Sequence, residues 1–297
     1  MTTQTIEPTT LPEWNGHFKT KGAGKNLYDG PLHSLPMPTG PVSSEEQIAA
    51  MYSDGYVIFP GVLSPEEVAR WRSNIDAFGG PDEQYEVEGW CFNKQIGPMY
   101  MTFPESLELI DRPGIIEVVE AIHGVPFSND GGAVMGGSFW VTGNGRQMPV
   151  HIDYQMMRLP EAIMDDPTIR VPIYMSTAHY YLQDMTLDLG PTTIVPGSHK
   201  SGRWPENETS FRGVAPQAAL VNAGDVVLFR SDLWHGAGMN SSKERRYIIQ
   251  VHYAASNQAK WFPAMRFEKY WSEEVLAKAT PRQRKLLGAM AAPVNKY

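Results

Sequence analysis

His151 and Asp153 stand two residues apart in a segment rich in β-forming residues. On an extended strand, residues at this spacing point to the same side, so an imidazole and a carboxylate can converge on one metal ion. The pair alone is weak evidence, because two polar residues at this spacing also occur as a simple hydrogen-bonded pair at a strand end. A metal site requires a third ligand.

His235 is the candidate third ligand, because it closely follows the predicted strand Asp225–Phe229. Two histidines and one carboxylate on one face of an octahedral ferrous ion leave three positions open, which is the arrangement of non-heme iron oxygenases. A cation for a dicarboxylate co-substrate is also needed, and Arg246 stands at the start of the next predicted strand. A guanidinium binds a carboxylate through two hydrogen bonds and keeps its charge when buried.

Short β-type segments separated by turn residues fill the chain from about residue 133 to 254 and predict an all-β core, either a barrel or a jelly roll. The segments are Gly137–Val141, Val171–Met175, Thr193–Val195, Asp225–Phe229 and Tyr247–Val251. Helices are predicted to flank this core. They cover Ser43 to near Gly55, a segment opening at Ser64, Glu105–His123 with a break at Arg112-Pro113-Gly114, and Phe267–Met290.

The chain of 297 residues, 42% hydrophobic and 20% charged, is long and apolar enough to bury a sizeable core. Residues 1–42 are rich in proline and are predicted to form an irregular N-terminal arm. Residues 43–297 are predicted to form a single domain, with the barrel core at about 133–254 and C-terminal helices at 267–290.

Charge and cysteine content narrow the partners and the compartment. Lysine and arginine number 25 against 33 aspartates and glutamates, a net charge of -8, which argues against binding nucleic acid or an anionic membrane. Cys91 is the one cysteine, so no intrachain disulfide and no multi-cysteine metal site can form, as expected in a reducing compartment. We expect a cytoplasmic protein without signal peptide or membrane span, acting on a small molecule; the sequence does not predict its oligomeric state.

Four ordered motifs between about Ser43 and Tyr253 resemble the phytanoyl-CoA dioxygenase family of Fe(II)- and 2-oxoglutarate-dependent oxygenases. They are His151-Ile152-Asp153, Gly190–Lys200, Gly224–Phe229, and His235–Ser242 with Arg246. The resemblance implies a double-stranded β-helix, a jelly-roll, cupin-like barrel. It also implies Fe(II) bound by His151, Asp153 and His235, the distal carboxylate of 2-oxoglutarate paired with Arg246, O2 as oxidant, and ascorbate as a supporting reductant.

The same resemblance implies further co-substrate contacts. Thr192 is expected beside 2-oxoglutarate, and Lys94 is either a co-substrate lysine or an exposed loop lysine. Gln147 corresponds to a frequent family glutamine but stands four residues before His151 rather than three. Ala237 replaces a serine that many members use, which leaves the hydrogen bonds around the co-substrate open.

An apolar or aromatic substrate pocket is expected near the metal motifs. Its candidate lining residues are Tyr154, Met157 and Trp234, together with the segment His179–Tyr181; ordinary barrel packing is the competing interpretation for each.

Arg246, Gln250 and His252 share one face of their predicted strand. If Arg246 points into the barrel, the other two follow it. His252 is then either a pocket residue or a core histidine satisfied by hydrogen bonds.

The resemblance implies hydroxylation of a small metabolite or natural product, with release of succinate and CO2. An acyl-CoA substrate is disfavoured, because no dedicated basic cluster stands ready for the phosphates of coenzyme A. Asp153 favours oxygenation over halogenation, since related halogenases carry a small residue there. The alternatives are desaturation, epimerisation or ring formation by the same chemistry, a non-oxidative cupin-type isomerase or lyase that would not need Arg246, and a barrel that only binds.

Overall fold

The computed structural model describes residues 26–78, 85–87, 90–92, 94–97, 99–124, 132–143, 147–155, 158–255 and 272–287. Thirteen strands lie in these ranges. They are β1 (His33–Ser34), β2 (Tyr56–Phe59), β3 (Tyr85–Val87), β4 (Trp90–Phe92), β5 (Lys94–Ile96), β6 (Gly132–Thr142), β7 (Met148–His151), β8 (Met175–Tyr181), β9 (Thr192–Ile194), β10 (Gln217–Ala218), β11 (Val226–Arg230), β12 (His235–Ala237) and β13 (Arg246–Ala255).

The strands form two main sheets and one hairpin. The large sheet has the order β2-β11-β8-β13-β6-β5, and the small sheet has the order β1-β10-β9-β12-β7. Neighbouring strands run antiparallel, apart from the parallel pair of β1 and β10. Strands β3 and β4 form a separate hairpin.

Seven α-helices lie in the described ranges. They are α1 (Ser44–Ser53), α2 (Pro65–Ala77), α3 (Met99–Thr102), α4 (Ile115–His123), α5 (Glu161–Met164), α6 (Glu273–Lys278) and α7 (Pro281–Leu286), with 3-10 turns at Pro104–Leu109 and Ser198–Ser201. None of the helices within these ranges has the length and apolarity to span a membrane.

The predicted helix starts are confirmed in detail. The Ser43 hydroxyl accepts a hydrogen bond from the backbone N–H of Glu46, and the Ser64 hydroxyl accepts one from that of Glu67. In return, the carboxylate of each glutamate accepts a hydrogen bond from the backbone N–H of its serine. These capping boxes satisfy backbone groups that a helix start leaves unpaired. The predicted break at Pro113 and Gly114 separates the 3-10 turn from α4.

Strand β11 shows how the core is divided. Its residues alternate between two apolar clusters, as expected for a strand covered on both faces. Val226 and Leu228 pack with the helices on the outer face of the large sheet, where Trp71 of α2 is fully buried. Val227 and Phe229 pack with residues lying between the sheets. The predicted fold is confirmed: a mainly β jelly roll with flanking helices.

One predicted strand is wrong. Residues 171–174 of the expected strand Val171–Met175 have no regular structure, and β8 instead runs from Met175 to Tyr181. Pro172 lacks a backbone N–H for a ladder, and the carbonyl of Ile173 contacts the His123 ring.

The limits of the sheets differ from the expected core of residues 133–254. Strands β2 and β5 join the large sheet, and β1 of the N-terminal arm joins the edge of the small sheet. Leu35 of the arm is buried between the sheets. The division into an arm and one domain stays a prediction.

Candidate metal centre

Paired strands of the small sheet bring His151 and His235 together. His151 ends β7, His235 begins β12, and the two are direct cross-strand partners with ring centroids 4.3 Å apart. Asp153 follows β7, and its backbone N–H donates to the carbonyl of Ser231 at 2.9 Å. The strand pairing holds the two histidines, and the backbone hydrogen bond holds Asp153 beside them. The three side chains converge as predicted.

The three side chains offer one ligand atom each, and these atoms lie within 4.8 Å of one another. Asp153 Oδ1 is 3.7 Å from His151 Nε2 and 3.4 Å from His235 Nε2. Both imidazoles are buried, whereas the carboxylate is 23% exposed. The cluster is therefore open on the carboxylate side.

Main-chain carbonyls fix the orientation of both rings. His151 Nδ1 lies 2.8 Å from the carbonyl of Pro149, and His235 Nδ1 lies 2.8 Å from that of Leu233. A carbonyl only accepts hydrogen bonds, so each Nδ1 carries a hydrogen and each Nε2 is the ring nitrogen that faces the cluster. Such a partner behind the ligand nitrogen is usual for metal-binding histidines.

The cluster is electrostatically coupled. Burial opposes ionisation of Asp153, but the neighbouring His235 and His151 rings hold the pKa of its carboxyl well below the usual range. Burial and the nearby His235 lower the pKa of His151. Burial lowers the pKa of His235, but the negative charge of Asp153 raises it by more. The pKa of His235 therefore lies above its ordinary value. The carboxylate is therefore ionised and ready to bind a cation.

Arg246 begins β13, and its guanidinium is buried on the inner face of the large sheet. One Nη1 hydrogen is donated to the carbonyl of Gly190, while Nε is buried without a partner among the described residues. Burial lowers the pKa of Arg246 to about 10, with Tyr181 opposing, so the side chain stays charged at neutral pH. Gly190 has φ +68°, and a Cβ there would lie 2.4 Å from the carbonyl oxygen of Gly238. Only glycine fits this turn.

A chain of polar side chains links the two sheets between the metal cluster and Arg246. Thr192 Oγ1 lies 3.3 Å from His179 Nδ1, and Gln250 Nε2 lies 3.0 Å from His179 Nε2. The charges of His235 and Arg246 both act on His179, and burial lowers its pKa well below the usual value. His179 is therefore near both the metal cluster and the arginine, and Thr192 contacts it.

The link through His179 was not predicted. The sequence suggested His179 only as a pocket or packing residue, because strand β8 was not recognised. The signal was present as polar residues at period two along β8: Thr177, His179 and Tyr181.

Two of the expected pocket residues lie near the metal cluster. His252 Nδ1 is 3.0 Å from Thr177 Oγ1, and the charges of Asp153 and His235 act on the His252 ring. Tyr154 donates its backbone N–H to the same Ser231 carbonyl as Asp153. Beside it lies a small open cleft lined by Tyr154, Gln155, Tyr174, Met175 and Asp232.

Trp234 does not line this pocket, contrary to the prediction. It precedes His235 and therefore points to the opposite face of the small sheet. There it is fully buried against Phe211, with Nε1 donating to the carbonyl of Arg203 at 3.0 Å. Trp234 is part of the outer packing.

The co-substrate roles of Gln147 and Lys94 and the pocket role of Met157 stay predictions. Gln147 Nε2 donates to the carbonyl of Tyr28 at 2.6 Å and so contacts the N-terminal arm. Lys94 begins β5 opposite Val141 of β6, which places its backbone in a strand rather than a loop. The side chain of Lys94 and the whole of Met157 lie outside the described residues.

Comparisons with known sequences identify a family and relatives that cover most of the chain. The sequence model of the family described as phytanoyl-CoA dioxygenase (PhyH) matches residues 51–248. The dioxygenase andF of Emericella variicolor is 22% identical over 275 residues, covering 86% of this chain and 87% of the relative. The dioxygenase cdmA of Talaromyces verruculosus is 27% identical over 273 residues and covers 83% of each chain.

Solved structures share the fold. The epimerase SnoN from nogalamycin biosynthesis, described as non-heme and alpha-ketoglutarate-dependent, superposes with a TM-score of 0.54 at 21% identity, over 71% of this chain and 81% of that chain. HygX from Streptomyces hygroscopicus, solved with nickel and 2-oxoglutarate bound, gives a TM-score of 0.54 at 18% identity, over 72% of this chain and 88% of that chain. At these identities the likeness establishes the fold.

Proposed function

The chain belongs to the phytanoyl-CoA dioxygenase family, and we propose that it is an Fe(II)- and 2-oxoglutarate-dependent dioxygenase that hydroxylates a small metabolite or natural product. In this reaction the substrate C–H becomes C–OH, one oxygen atom of O2 enters the product, and 2-oxoglutarate is split into succinate and CO2. The observation that carries the proposal is the convergence of His151, Asp153 and His235 on the inner face of a jelly roll that also buries Arg246.

The three side chains fit a ferrous ion in their donor chemistry. Two imidazole nitrogens and one ionised carboxylate oxygen are the ligands of a facial triad, and both Nε2 atoms already face the carboxylate. A ferrous ion held there would supply the oxygen activation, coupled to the decarboxylation of 2-oxoglutarate. No separate acid or base is required of the chain.

Arg246 fits the co-substrate. Its charge is buried without a carboxylate partner in the described part of the chain, and its Nε–H has no acceptor there. A bound dicarboxylate would supply both the charge and the acceptor oxygens. The expected role of Arg246 is to hold the distal carboxylate, with Thr192 beside it.

Hydroxylation is one of several outcomes available to this chemistry. SnoN is an epimerase and SnoK, also from nogalamycin biosynthesis, is a carbocyclase, and both share the fold. The andF and cdmA relatives carry the broader description of dioxygenase. We propose hydroxylation, which adds about 16 mass units to the substrate; desaturation removes about 2, and epimerisation leaves the mass unchanged.

The first test is anaerobic addition of Fe(II) and 2-oxoglutarate to the purified protein. Chelation of iron by the co-substrate gives a weak visible metal-to-ligand charge-transfer band, and we expect the band only when both are present. Asp153→Ala should abolish iron binding and the band while the far-ultraviolet circular dichroism stays unchanged, because Asp153 lies outside the strands. No band in metal-loaded wild type would favour a non-oxidative cupin-type enzyme instead, and full turnover by Asp153→Ala would refute the triad.

A further inference from the structure

The cleft beside Tyr154 lies at the opposite end of the large sheet from Arg246. Met175, which lines the cleft, is the cross-strand partner of Ala254, near the far end of the strand that Arg246 begins. At about 3.3 Å for each residue, the two positions on β13 are roughly 25 Å apart. Tyr154, another lining residue, directly follows the candidate ligand Asp153. The cleft therefore adjoins the metal cluster and lies far from the residue proposed for the co-substrate.

Asp232 brings a carboxylate into this cleft. It directly follows Ser231, whose carbonyl accepts the backbone N–H groups of Asp153 and Tyr154. The segment that carries Asp232 is therefore tied to the segment that carries a metal ligand. The side chain of Asp232 is 26% exposed and lines the cleft. An ionised carboxylate only accepts hydrogen bonds, so Asp232 offers an acceptor to a molecule bound next to the metal cluster.

Arg230 fixes the position of that carboxylate. Its Nε donates to Asp232 Oδ1 at 2.6 Å and its Nη2 donates to Asp232 Oδ2 at 2.8 Å, while the arginine side chain is only 2% exposed. The two bonds use one lone pair on each oxygen, which leaves a second lone pair on each for another donor. The guanidinium also offsets the charge of the carboxylate. The pair therefore suits a neutral donor, such as a hydroxyl group, better than a cation.

Burial alone does not explain this ion pair. Charged groups lose hydration when buried, and apolar residues of similar volume often stabilise a protein as well or better. The pair adds a hydrogen-bond acceptor at the cleft, which apolar residues would not provide. The rest of the lining includes two tyrosines and a methionine, Tyr154, Tyr174 and Met175, which offer apolar contact. The cleft thus suits a molecule with an apolar ring and a hydroxyl group.

We propose that Asp232 accepts a hydrogen bond from a hydroxyl group of the primary substrate and so selects a ring-containing small molecule that is already hydroxylated. The inference rests on the proposed function. Asp232 is then a specificity-determining residue, and Arg230 is a positioning residue that acts through it. The substrate hydroxyl donates its hydrogen and keeps its proton, so Asp232 takes no part in the oxidation itself.

The experiment uses three hydroxylated probes, each beside its methyl ether: 2-naphthol, 4-phenylphenol and borneol. They are added to the protein loaded with Mn(II) and 2-oxoglutarate. Binding next to the metal is measured by the relaxation rate of the probe protons, because Mn(II) speeds relaxation only at short range. We expect the hydroxylated probes to bind on the order of tenfold tighter than their ethers, as for a hydrogen bond to a charged group.

Asp232→Asn keeps the shape of the side chain but removes its charge and adds an N–H that donates equally well to an ether oxygen. The preference for the hydroxylated probes should therefore fall severalfold. Asp184→Asn is the matched control, because Asp184 is an exposed aspartate outside the cleft lining whose carboxylate accepts from the backbone N–H of Ala223. This variant should keep the preference of wild type.

An unchanged preference in Asp232→Asn overturns the proposal. Equal binding of hydroxylated probes and ethers to wild type, or no effect of Mn(II) on any probe, overturns it as well. Failure of the proposed function is distinct, since wild type would then bind no 2-oxoglutarate in the presence of Mn(II).

If Asp232→Asn does not fold because Arg230 has lost its counter-ion, the double variant Arg230→Met, Asp232→Leu tests the same contact. It removes both charges together, a change that buried ion pairs often tolerate. This variant should bind 2-oxoglutarate as wild type does and should bind each hydroxylated probe no better than its ether. A preference that persists in the double variant contradicts the role of Asp232.

Discussion

The two metal-facing histidines share one local device: each ring donates from Nδ1 to the carbonyl two residues earlier in the chain. Pro149 serves His151 and Leu233 serves His235. The orientation of each ring is thus set by its own chain segment and does not require a bound metal. At the residue scale, the site is organised for binding before any ligand arrives, which lowers the entropic cost of capturing one.

Arg246→Ala should weaken 2-oxoglutarate binding to the metal-loaded protein by roughly 2–5 kcal/mol, because it removes one partner of a buried charge pair. Calorimetric titration of wild type and variant measures the difference. Arg245→Ala is the control, since it removes an adjacent arginine that is exposed. Equal affinities in wild type and Arg246→Ala would return the arginine to a structural role.

The metal residues could be predicted from sequence because their chemistry is carried by a short motif and two single residues in register with strands. Tyr181 and His179 could not be placed in the same way. Strand β8 escaped recognition, as the apolar residues just before it formed a better β-type segment, Val171–Met175. Trp234 was expected in the pocket because it is next to His235 in the sequence, but adjacent residues of an extended chain face opposite ways.

At the scale of elements, helix α4 is tied to strand β8 through one buried histidine. His123 ends α4, its Nδ1 lies 2.9 Å from the carbonyl of Ile173, and its Nε2 lies 2.8 Å from Ser176 Oγ. The carbonyl requires a hydrogen on Nδ1, so Nε2 of the neutral ring accepts from the Ser176 hydroxyl. Burial lowers the pKa of His123 to about 4.

This link predicts a loss of stability in mild acid. An unfolded histidine takes up a proton near pH 6.5, whereas folded His123 does so near pH 4. Between these values the unfolded chain binds more protons, so stability falls as the pH falls. The contribution of His123 at pH 5 is a loss of about 2 kcal/mol relative to pH 7.5.

Urea denaturation at the two pH values measures this loss. His123→Gln should be less stable than wild type at pH 7.5 and should lack the histidine share of the acid effect. His33→Gln, at an exposed histidine of β1, is the control. The same pH dependence in wild type and His123→Gln would contradict the assignment.

At the scale of the whole molecule, the two candidate histidine ligands come from strands of the small sheet, and Asp153 closely follows one of them. The candidate co-substrate residues Thr192 and Arg246 come from the small and the large sheet respectively. Binding of metal and co-substrate should therefore connect the two sheets and stabilise the folded protein. At one hundred times its Kd, a ligand that binds only the folded protein adds about 2.7 kcal/mol to the free energy of unfolding.

Thermal unfolding with Mn(II) and 2-oxoglutarate should show this stabilisation as a higher Tm in wild type. Mn(II) replaces Fe(II) here so that no oxidation occurs during heating. Asp153→Ala should show no increase, since it lacks a metal ligand. A matching increase in Asp153→Ala would mean that the additives bind elsewhere.

The position of β13 has a consequence for how the protein is made. This strand is the last in chain order among the described strands of the two sheets, and it lies between β8 and β6 in the middle of the large sheet. Until Ala255 has emerged, β8 and β6 each present an unpaired edge to the cell. The large sheet therefore closes only after β13 has been translated, and until then the two open edges are sites where the nascent chain can pair with other chains.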